Sequence, residues 1–444
     1  MPIRRRSFIK YASLAAAGNI AGLRPFGAMN ALAQTGSNYK ALVCVFLFGG
    51  NDANNMVVPY DTKGYANYAS IRGPIALAQS SLLGLTPLPN FALHPSLPEV
   101  QSLFNSGAAA LVANVGTLTQ PTTRAQYLAG TTVPTNLFSH PDQQTEWQNA
   151  AQSGDTPTGW AGRISDVING TYNASASIPM VTSVAGDTIF CNGVSTTPVS
   201  ISPGNVGGAS CSEGAACAAR QTAAQSLITM SSGVSLVTAD NSITSNAYSY
   251  SATLTAATKG VTPLKTVFPT GGFGAQLQQV AEIIQVRAAL GVQRQIFFVG
   301  VGNFDTHSDQ LALQASLLSG LSPALLAFYQ ATQELGVANE VTTFTMSDFA
   351  RTFQPNSNTG TDHAWGSHHI VFGGAVKGGQ MYGTFPTLTL GGPDDSGSNG
   401  RWVPSTGISQ YAATLAEWFG VPASQLGAVF PNIGNFTTTN LGFV

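Results

Sequence analysis

Four apolar runs, each ending in a glycine or polar cluster, most constrain the fold of this 444-residue chain. They span residues 41–48, 108–115, 295–301 and 341–346. An apolar run of this length that ends in a loop is typical of a parallel strand buried on both faces. Between the runs, 277–288 and 311–335 carry apolar residues three or four positions apart, as amphipathic helices do. The pattern predicts an α/β fold: a doubly wound, mainly parallel sheet with helices on both faces.

The length and composition predict one domain with an insertion. The roughly 410 residues that follow the N-terminal segment exceed the usual size of a single core, so either two domains or one core with insertions is expected. Residues 190 to about 270 are rich in Ser, Ala, Thr and Gly and have weak periodicity. We interpret them as an insertion or cap over a single domain of residues 39–444, with disorder as the alternative.

The first 33 residues have the features of an export signal. Arg5 and Arg6 are followed by Ser7-Phe8-Ile9-Lys10, a mild apolar stretch over 11–23, and Ala31-Leu32-Ala33. Paired arginines ahead of such a stretch indicate the twin-arginine pathway, with its translocase as partner and a periplasmic or secreted protein as product. The apolar stretch is shorter than the roughly 20 residues that span a bilayer. We therefore expect cleavage after Ala33 and no stable membrane span in the mature chain; an uncleaved anchor is the alternative.

The charge balance limits the classes of partner, and the cysteine positions indicate which thiols could form a disulfide. The 33-residue segment holds five of the 18 basic residues and none of the 20 acidic ones, which leaves 13 basic residues against 20 acidic. This balance argues against nucleic acid as a partner. Cys44 lies in an apolar run and is expected to be a buried thiol. Cys211 and Cys217 flank a short loop and are candidates for a local disulfide, with Cys191 unpaired or competing.

Acidic and histidine residues follow the ends of three of the four runs. Asp52 follows the first, Asp305 and His307 the third, and Asp348 the fourth. A further segment contains Asp362, His363, His368 and His369, so four of the six histidines of the chain lie in these segments. Ligands bind beyond the carboxyl ends of strands in open α/β sheets. Oxygen ligands suit calcium or magnesium, and mixed Asp/His sets suit zinc or manganese. Each Asp alone is more simply a helix cap or turn residue, but together they predict a divalent metal site.

Several segments of the chain carry a family resemblance. They are Gly49–Asp52, Val112–Gly116, Phe138–His140, Phe304–His307, Ser347–Arg351, Gly360–Gly366 and Gly373–Gly379. These segments resemble the bacterial family catalogued as domain of unknown function 1501, over nearly the whole mature chain. That family is similar to the alkaline phosphatase and sulfatase superfamily. The resemblance implies an alkaline-phosphatase-like sheet with one or two divalent ions at its strand ends.

The resemblance also implies an order of ligands along the chain. Asp52, Asp305 with His307, Asp348, and a late histidine from His363 or His369 fall in the order in which the superfamily holds its ions. Two departures stand out. Asp305 and His307 are closer together than the superfamily's pair, and Phe349 stands where a metal histidine is expected after Asp348.

The candidate nucleophile is Ser139, beside His140. Its hydroxyl could be activated by that imidazole or by a metal. Thr119, in a loop loosely similar to that of sulfatases, is the rival, although turn capping is the simpler interpretation there. Arg351 could bind an anionic group through its planar fork, or form a structural ion pair.

Together these residues favour an exported metal-dependent hydrolase of phosphate or sulfate esters, acting on an anionic small molecule or polymer ester. A non-catalytic envelope or extracellular binding or assembly protein on the same fold is the alternative. A metal-free Ser/His/Asp hydrolase is a third possibility, but no Gly-x-Ser-x-Gly motif surrounds Ser139.

Overall fold

The computed structural model of the protein describes residues 38–150, 156–204, 214–230 and 233–444. Tyr39–Val444 forms one compact unit. The predicted signal segment 1–33 and Cys211 lie outside the described residues. Cys44 and Cys191 are buried free thiols, whereas Cys217 is disulfide-bonded.

A nine-stranded sheet forms the centre of the unit, beside a small three-stranded sheet. The strands are β1 Lys40–Leu47, β2 Val57–Pro59, β3 Leu83–Gly84, β4 Phe91–Leu93, β5 Ala109–Gly116, β6 Val181–Ser183, β7 Val199–Ser200, β8 Arg294–Val301, β9 Val341–Ser347, β10 Ser367–Phe372, β11 Met381–Gly383 and β12 Thr406–Gly407. In the large sheet the order is β11-β5-β10-β9-β1-β8-β6-β7, and β12 pairs with β5. The four apolar runs are β1, β5, β8 and β9, so the predicted strands are confirmed to within one residue at every end.

Helices cover both faces of the large sheet. They are α1 Ala53–Met56, α2 Thr62–Arg72, α3 Pro98–Asn105, α4 Arg124–Leu128, α5 His140–Asn149, α6 Trp160–Tyr172, α7 Gly214–Ile228, α8 Ser235–Thr258, α9 Gly272–Gln285, α10 Gln310–Glu334, α11 Ile408–Phe419 and α12 Leu426–Val429. Helices α3, α9 and α10 pack in one apolar core, and α6, α11 and α12 in the other. The predicted doubly wound α/β architecture is confirmed.

Strand β1 shows why the sheet needs both layers. Every residue from Ala41 to Leu47 is buried, and alternate side chains point to opposite faces. Val43 and Val45 belong to one core, whereas Cys44 and Phe46 belong to the other. Truncating Phe46 to alanine is expected to cost about 3–5 kcal/mol of unfolding free energy, because the burial of the ring is lost and the surrounding core relaxes only partly into the cavity.

Strand β10 was not among the predicted strands, and it is antiparallel. It lies between β5 and β9, pairs antiparallel with both, and thereby leaves β5 parallel to the rest of the sheet. Its sequence, Ser367-His368-His369-Ile370-Val371-Phe372, begins with polar residues that resemble a loop, although all six are buried. The first half of the strand is therefore recognisable only from its place in the sheet.

Helix α10 is long and apolar enough to cross a membrane, judged by length and composition alone. Its side chains Leu318, Leu321, Leu325 and Phe328 are buried in the core beside α9 and α3. Burial of this kind is typical of the core helix of a globular α/β protein.

The predicted insertion contains ordered helices in its described part. Helices α7 and α8 contact each other, and α8 also contacts α9 and β7. Leu236 and Ile243 of α8 are exposed, while Leu254 is fully buried. The weak periodicity of this region therefore reflects two helices that bury only a small part of their surface.

Candidate metal centre

The predicted site residues are brought together mainly where β1, β8 and β9 end. The loops that follow these strands approach each other closely at Gly49, whose φ of +111° disfavours any side chain. A Cβ at Gly49 would lie 2.5 Å from the backbone nitrogen of Asp305, and a Cβ at Gly50 would lie 2.5 Å from the ring of Phe349. The two glycines thus let the loop after β1 pass beside those after β8 and β9.

Asp305 lies at the middle of this cluster. Its carboxylate accepts a hydrogen bond from Arg351 Nη1 at 2.8 Å and lies 3.0 Å from His307 Nε2. It also lies 3.3 Å from His363 Nε2 and 3.4 Å from His140 Nε2. Partial burial alone would raise the pKa of this carboxyl, but the hydrogen bond and charge of Arg351, with the neighbouring imidazoles, lower it below its usual value. Asp305 is therefore a carboxylate that three imidazoles face.

His140 is oriented by Asp348. Its Nδ1 lies 2.7 Å from Asp348 Oδ2, and the buried Asp348 also accepts from Gly49 N at 3.1 Å and Gln144 Nε2 at 2.9 Å. The hydrogen bond to Asp348 is the largest cause of a raised pKa at His140. Because Nδ1 donates to the carboxylate, Nε2 of the neutral ring carries the lone pair. This Nε2 is buried and has no hydrogen-bond partner among the described residues.

His363 and His307 are held in the same manner. His363 Nδ1 donates to the carbonyl of Phe138 at 2.7 Å, and its ring stacks on Phe349 at 4.6 Å. Burial is the main cause of a lowered pKa at His363. His307 Nδ1 lies 3.2 Å from Asp362 Oδ1, and its Nε2 lies 3.0 Å from His363 Nε2. Each imidazole thus has an acceptor behind it and presents Nε2 to Asp305.

This donor set fits a divalent metal ion. One ligand atom each from His140, Asp305 and His363 lie within 4.8 Å of one another, and His307 Nε2 adjoins two of the three. Histidines that bind metals usually donate their other ring nitrogen to a carboxylate or carbonyl, as these do. The buried Nε2 of His140 has no hydrogen-bond partner among the described residues, and a metal ion would take up its lone pair. Three imidazole nitrogens and one carboxylate are ligands that suit zinc and related ions.

Asp52 does not face the imidazoles. It caps α1 by accepting from Asn54 N, and its other oxygen accepts from Arg72 and Gln310. Asp52 and Arg72 are both fully buried, so the carboxylate is held in an internal ion pair. The chain of hydrogen bonds that runs from Gln310 through Thr361 to Arg351 connects this pair to the centre. The structure therefore places Asp52 behind the cluster, as the helix cap that a single Asp most simply predicts.

His368 and His369 also lie away from the cluster, because they belong to β10 rather than to a loop. His368 Nδ1 accepts from Asn114 N at 3.0 Å, and its ring stacks on Phe385. His369 packs against Trp147 and Tyr411. Burial lowers the pKa of each imidazole to about 3. The structure thus leaves His363 as the late histidine beside Asp305.

The two candidate hydroxyls occupy different places. Ser139 precedes α5 as its N-cap, and its side chain makes no capping hydrogen bond. It adjoins His140 in sequence, but the free Nε2 of His140 faces Asp305. Thr119 lies in the loop after β5, where its carbonyl accepts from Asn435. Among the described residues, neither hydroxyl forms a hydrogen bond with an imidazole.

Arg351 is fully buried, and its donors are directed at protein acceptors. Its guanidinium donates to Asp305 Oδ1, to both the hydroxyl and the carbonyl of Thr361, and weakly to Gly49 O. This geometry corresponds to the structural ion pair that we considered as the alternative to anion binding.

Three contributors were not predicted from the sequence. They are the carbonyl of Phe138, the side chain of Gln144, and Arg401, which donates to the carbonyl of His363 at 2.9 Å and lies over the ring of Phe138. Backbone carbonyls leave no signal in a sequence. Arg401 lies 38 residues after His363, in a glycine-rich loop with no recognisable motif.

The fold and the cluster define a class: an α/β protein whose mainly parallel sheet gathers imidazoles and carboxylates at its carboxyl edge. The chain belongs to the DUF1501 family of proteins of unknown function, whose sequence profile matches residues 39–395. The predicted family resemblance is thereby confirmed. No curated protein matches the chain.

Several solved structures are similar to the chain at low sequence identity. A crystal structure of Ps i-CgsB is 11% identical, with a TM-score of 0.35, and the match covers 89% of this chain and 77% of the other. The PsFucS1 sulfatase from Pseudoalteromonas sp. is 8% identical, with a TM-score of 0.37 and coverage of 90% and 73%. A variant of the alkaline phosphatase PafA is 11% identical, with a TM-score of 0.26 and coverage of 71% and 64%.

Proposed function

We propose that this protein is a metal-dependent hydrolase of phosphate or sulfate esters. The observation that supports the proposal is the convergence of three imidazole Nε2 atoms on the carboxylate of Asp305. Each of those imidazoles is fixed from behind by a carboxylate or a backbone carbonyl. Fixed ring orientation and a free lone pair are what a catalytic metal site requires of its ligands.

The residues of the cluster divide into ligands and supports. His140, His307, His363 and Asp305 would hold the ion, while Asp348, Asp362 and Phe138 would orient the imidazoles. A bound divalent ion supplies a Lewis acid that polarises the ester oxygen and lowers the pKa of a coordinated water. With its side chain 43% exposed, Asp305 marks the side from which an ester would enter.

The attacking group is either a water or Ser139. Ser139 lies next to His140 and has a hydroxyl free of capping contacts, which makes it the better placed of the two predicted hydroxyls. Substitution of Ser139 by alanine separates the two: turnover that survives in the variant assigns the attack to water.

The test combines metal analysis of the purified protein with hydrolysis of aryl phosphate and aryl sulfate, with and without chelator. Bound metal and chelator-sensitive turnover support the proposal. Asp305→Asn and His363→Gln should lose both, whereas Asp240→Asn, an exposed acid on α8, should lose neither. Stoichiometric metal without turnover of either ester contradicts the hydrolase.

A non-catalytic binding or assembly protein is the second candidate. The buried, fully engaged guanidinium of Arg351 favours it, because that arginine is not free to stabilise an anionic transition state. Metal that survives in the purified protein and raises its thermal stability, without ester hydrolysis, is the result this candidate predicts.

A metal-free serine hydrolase is the third candidate, and the geometry argues against it. His140 and Asp348 form the imidazole–carboxylate pair that such enzymes use, but His140 Nε2 faces Asp305 instead of a hydroxyl. Hydrolysis that resists chelator and is lost in a Ser139→Ala variant would favour the metal-free serine hydrolase.

We also propose export through the twin-arginine translocase to the periplasm or the medium. The support is the Arg5-Arg6 pair and the apolar stretch that follows it. Substituting both arginines by lysine should keep the protein in the cytoplasm, as measured by cell fractionation. Unchanged export of that variant would contradict the proposal.

A further inference from the structure

We infer that the ester group recognised by this centre carries a single negative charge, as in a sulfate ester or a phosphate diester. The inference rests on the proposed hydrolase function and narrows its substrate class. It follows from where the positively and negatively charged side chains lie around the cluster.

Positive charge is scarce at the centre. Residues 38–444 contain 13 lysines and arginines, all of them described by the structure, and only Arg351 and Arg401 contact residues of the cluster. Lys40 and Arg294 begin β1 and β8, at the amino end of the sheet opposite the centre. Arg72 is committed to Asp52 in the buried ion pair. Two guanidinium groups are therefore in direct contact with the cluster.

Of those two, only Arg401 is available to a ligand. Arg351 has no exposed surface, and its donors point at Asp305, Thr361 and Gly49. Arg401 is half-buried, and only its Nε has a hydrogen-bond acceptor among the described residues, the carbonyl of His363. Its guanidinium carbon lies over the ring of Phe138, 4.3 Å from the centroid, and its terminal nitrogens can form a fork for one anionic oxygen pair.

By contrast, negatively charged side chains lie at the solvent-exposed side of the centre. The side chains of Asp305 and Asp362 are 43% and 47% exposed. Asp362 Oδ1 accepts a hydrogen bond from Asn356 Nδ2 at 3.2 Å and lies 3.2 Å from His307 Nδ1, which holds this carboxylate beside the imidazoles of the centre. The centre contains three carboxylates, those of Asp305, Asp348 and Asp362, and one guanidinium, that of Arg351. Their net charge is two negative units, which one divalent ion would balance.

The balance favours a monoanion. With the centre neutral, Arg401 matches one negative charge on the substrate, and a second would be directed at the carboxylate of Asp362. Like charges a few ångströms apart repel even where solvent screens them. A phosphate monoester carries two charges near neutral pH, whereas a sulfate ester and a phosphate diester carry one.

The experiment measures binding to the full-length, metal-loaded protein by calorimetry at pH 8. The matched probes are phenyl phosphate, a dianion, and methyl phenyl phosphate, a monoanion with the same ring; phenyl sulfate is the second monoanion. Both monoanions should bind at least about tenfold more tightly than the dianion, an estimate from the Coulomb interaction of one extra charge pair. The monoanion that binds more tightly of the two identifies which ester class the centre selects.

Variants then locate the cause of the preference. Asp362→Asn should reduce the preference for the monoanions several-fold, whereas Asp240→Asn, which makes the same change in net charge on α8, should leave it unchanged. Arg401→Gln should weaken monoanion binding, and Arg401→Lys should restore part of it. The arginine variants keep the test usable where Asp362→Asn does not fold.

The inference is overturned if the dianion binds as tightly as the monoanions or more tightly. It is also overturned if Asp240→Asn changes the preference as much as Asp362→Asn does, or if no probe binds. The proposed function fails differently. If the monoanions bind preferentially but neither the sulfate nor the diester is hydrolysed, the inference about charge stands and the hydrolase does not.

Discussion

Two groups of histidines in this protein have opposite surroundings. The imidazoles of the candidate centre lie at the carboxyl edge of the sheet, and two of them, His140 and His307, have a carboxylate at Nδ1. His368 and His369 lie inside the sheet on β10, fully buried, with no acidic partner among the described residues. The comparison teaches that an orienting carboxylate or carbonyl acceptor at Nδ1, with Nε2 directed at Asp305, marks the metal-binding candidates better than the local density of histidines does.

The pKa of His140 differs from those of the two β10 histidines in the same way. The hydrogen bond to Asp348 raises the pKa of His140, whereas burial lowers that of His368 and His369 to about 3. An imidazole beside a carboxylate remains basic enough to bind a metal or a proton. An imidazole enclosed by Trp147 and Tyr411 serves as a neutral aromatic packing group.

The largest expected effect is that of Asp305→Ala. The variant removes the carboxylate that all three imidazoles face and leaves the buried Arg351 without its partner. Loss of an outer-shell partner alone typically costs 10–100-fold in metal affinity, so loss of this ligand should exceed about 100-fold. Calorimetric titration of the apoprotein with zinc measures it. Retention of wild-type affinity would show that Asp305 is not a ligand.

The buried histidines of β10, His368 and His369, should make the fold sensitive to acid. The unfolded imidazole of His369 binds its proton near pH 6.5 and the folded one near 3, so stability is lost as the pH falls between these values and is unaffected above about 7. The full shift corresponds to a loss on the order of 5 kcal/mol, of which about 2 kcal/mol is reached at pH 5. His369→Phe should remove much of this loss. Urea unfolding at pH 8 and pH 5 checks it; parallel pH dependences of variant and wild type would contradict the account.

Glu146 tests the same relation between the pKa of a buried group and stability, but here stability falls as the pH rises. Burial is the main cause that raises the pKa of this α5 carboxyl from 4.5 to about 7. The unfolded state therefore loses its proton first, and stability is highest below pH 4.5 and falls as the pH rises to 7. Glu146→Gln should remove the fall, a gain of about 3 kcal/mol at pH 8, and should change little at pH 4. Denaturant titration at the two pH values decides, and an equal change at both would be unexpected.

The smallest expected effect belongs to Asp348→Asn. The variant keeps an acceptor for His140 Nδ1 but removes the charge, so the imidazole becomes less basic and a weaker ligand. Metal affinity should fall about 10–100-fold without loss of the fold. Asp142→Asn, on helix α5 together with His140, is the matched control. An unchanged affinity in Asp348→Asn would mean that His140 is not a ligand.

The fold was largely predictable because β1, β5, β8 and β9 are continuous apolar runs that need no tertiary information. Strand β10 was not, because its first residues are Ser367, His368 and His369. Their burial depends on the neighbours β5 and β9 rather than on their own hydropathy.

The candidate centre was predictable in part for a similar reason. Asp305, His307 and Asp348 follow predicted strands, and the carboxyl ends of parallel strands meet at one edge of the sheet. Asp52 also follows a strand, but its side chain turns back to cap α1, which strand position alone does not specify. The placement of His140, which reaches the centre from the start of α5, depends on how that helix packs, and spacing does not encode it.

The span of sequence between the partners of the centre has a consequence for biosynthesis. His140 and Asp348 are 208 residues apart, and Phe138 and His363 are 225 apart. A nascent chain that ends before Asp305 carries His140 and Phe138 but none of their partners in the centre, so most of the polypeptide must be synthesised before the centre can form. Assembly of the centre is therefore a late event of folding, and a translation product truncated before Asp305 cannot complete it.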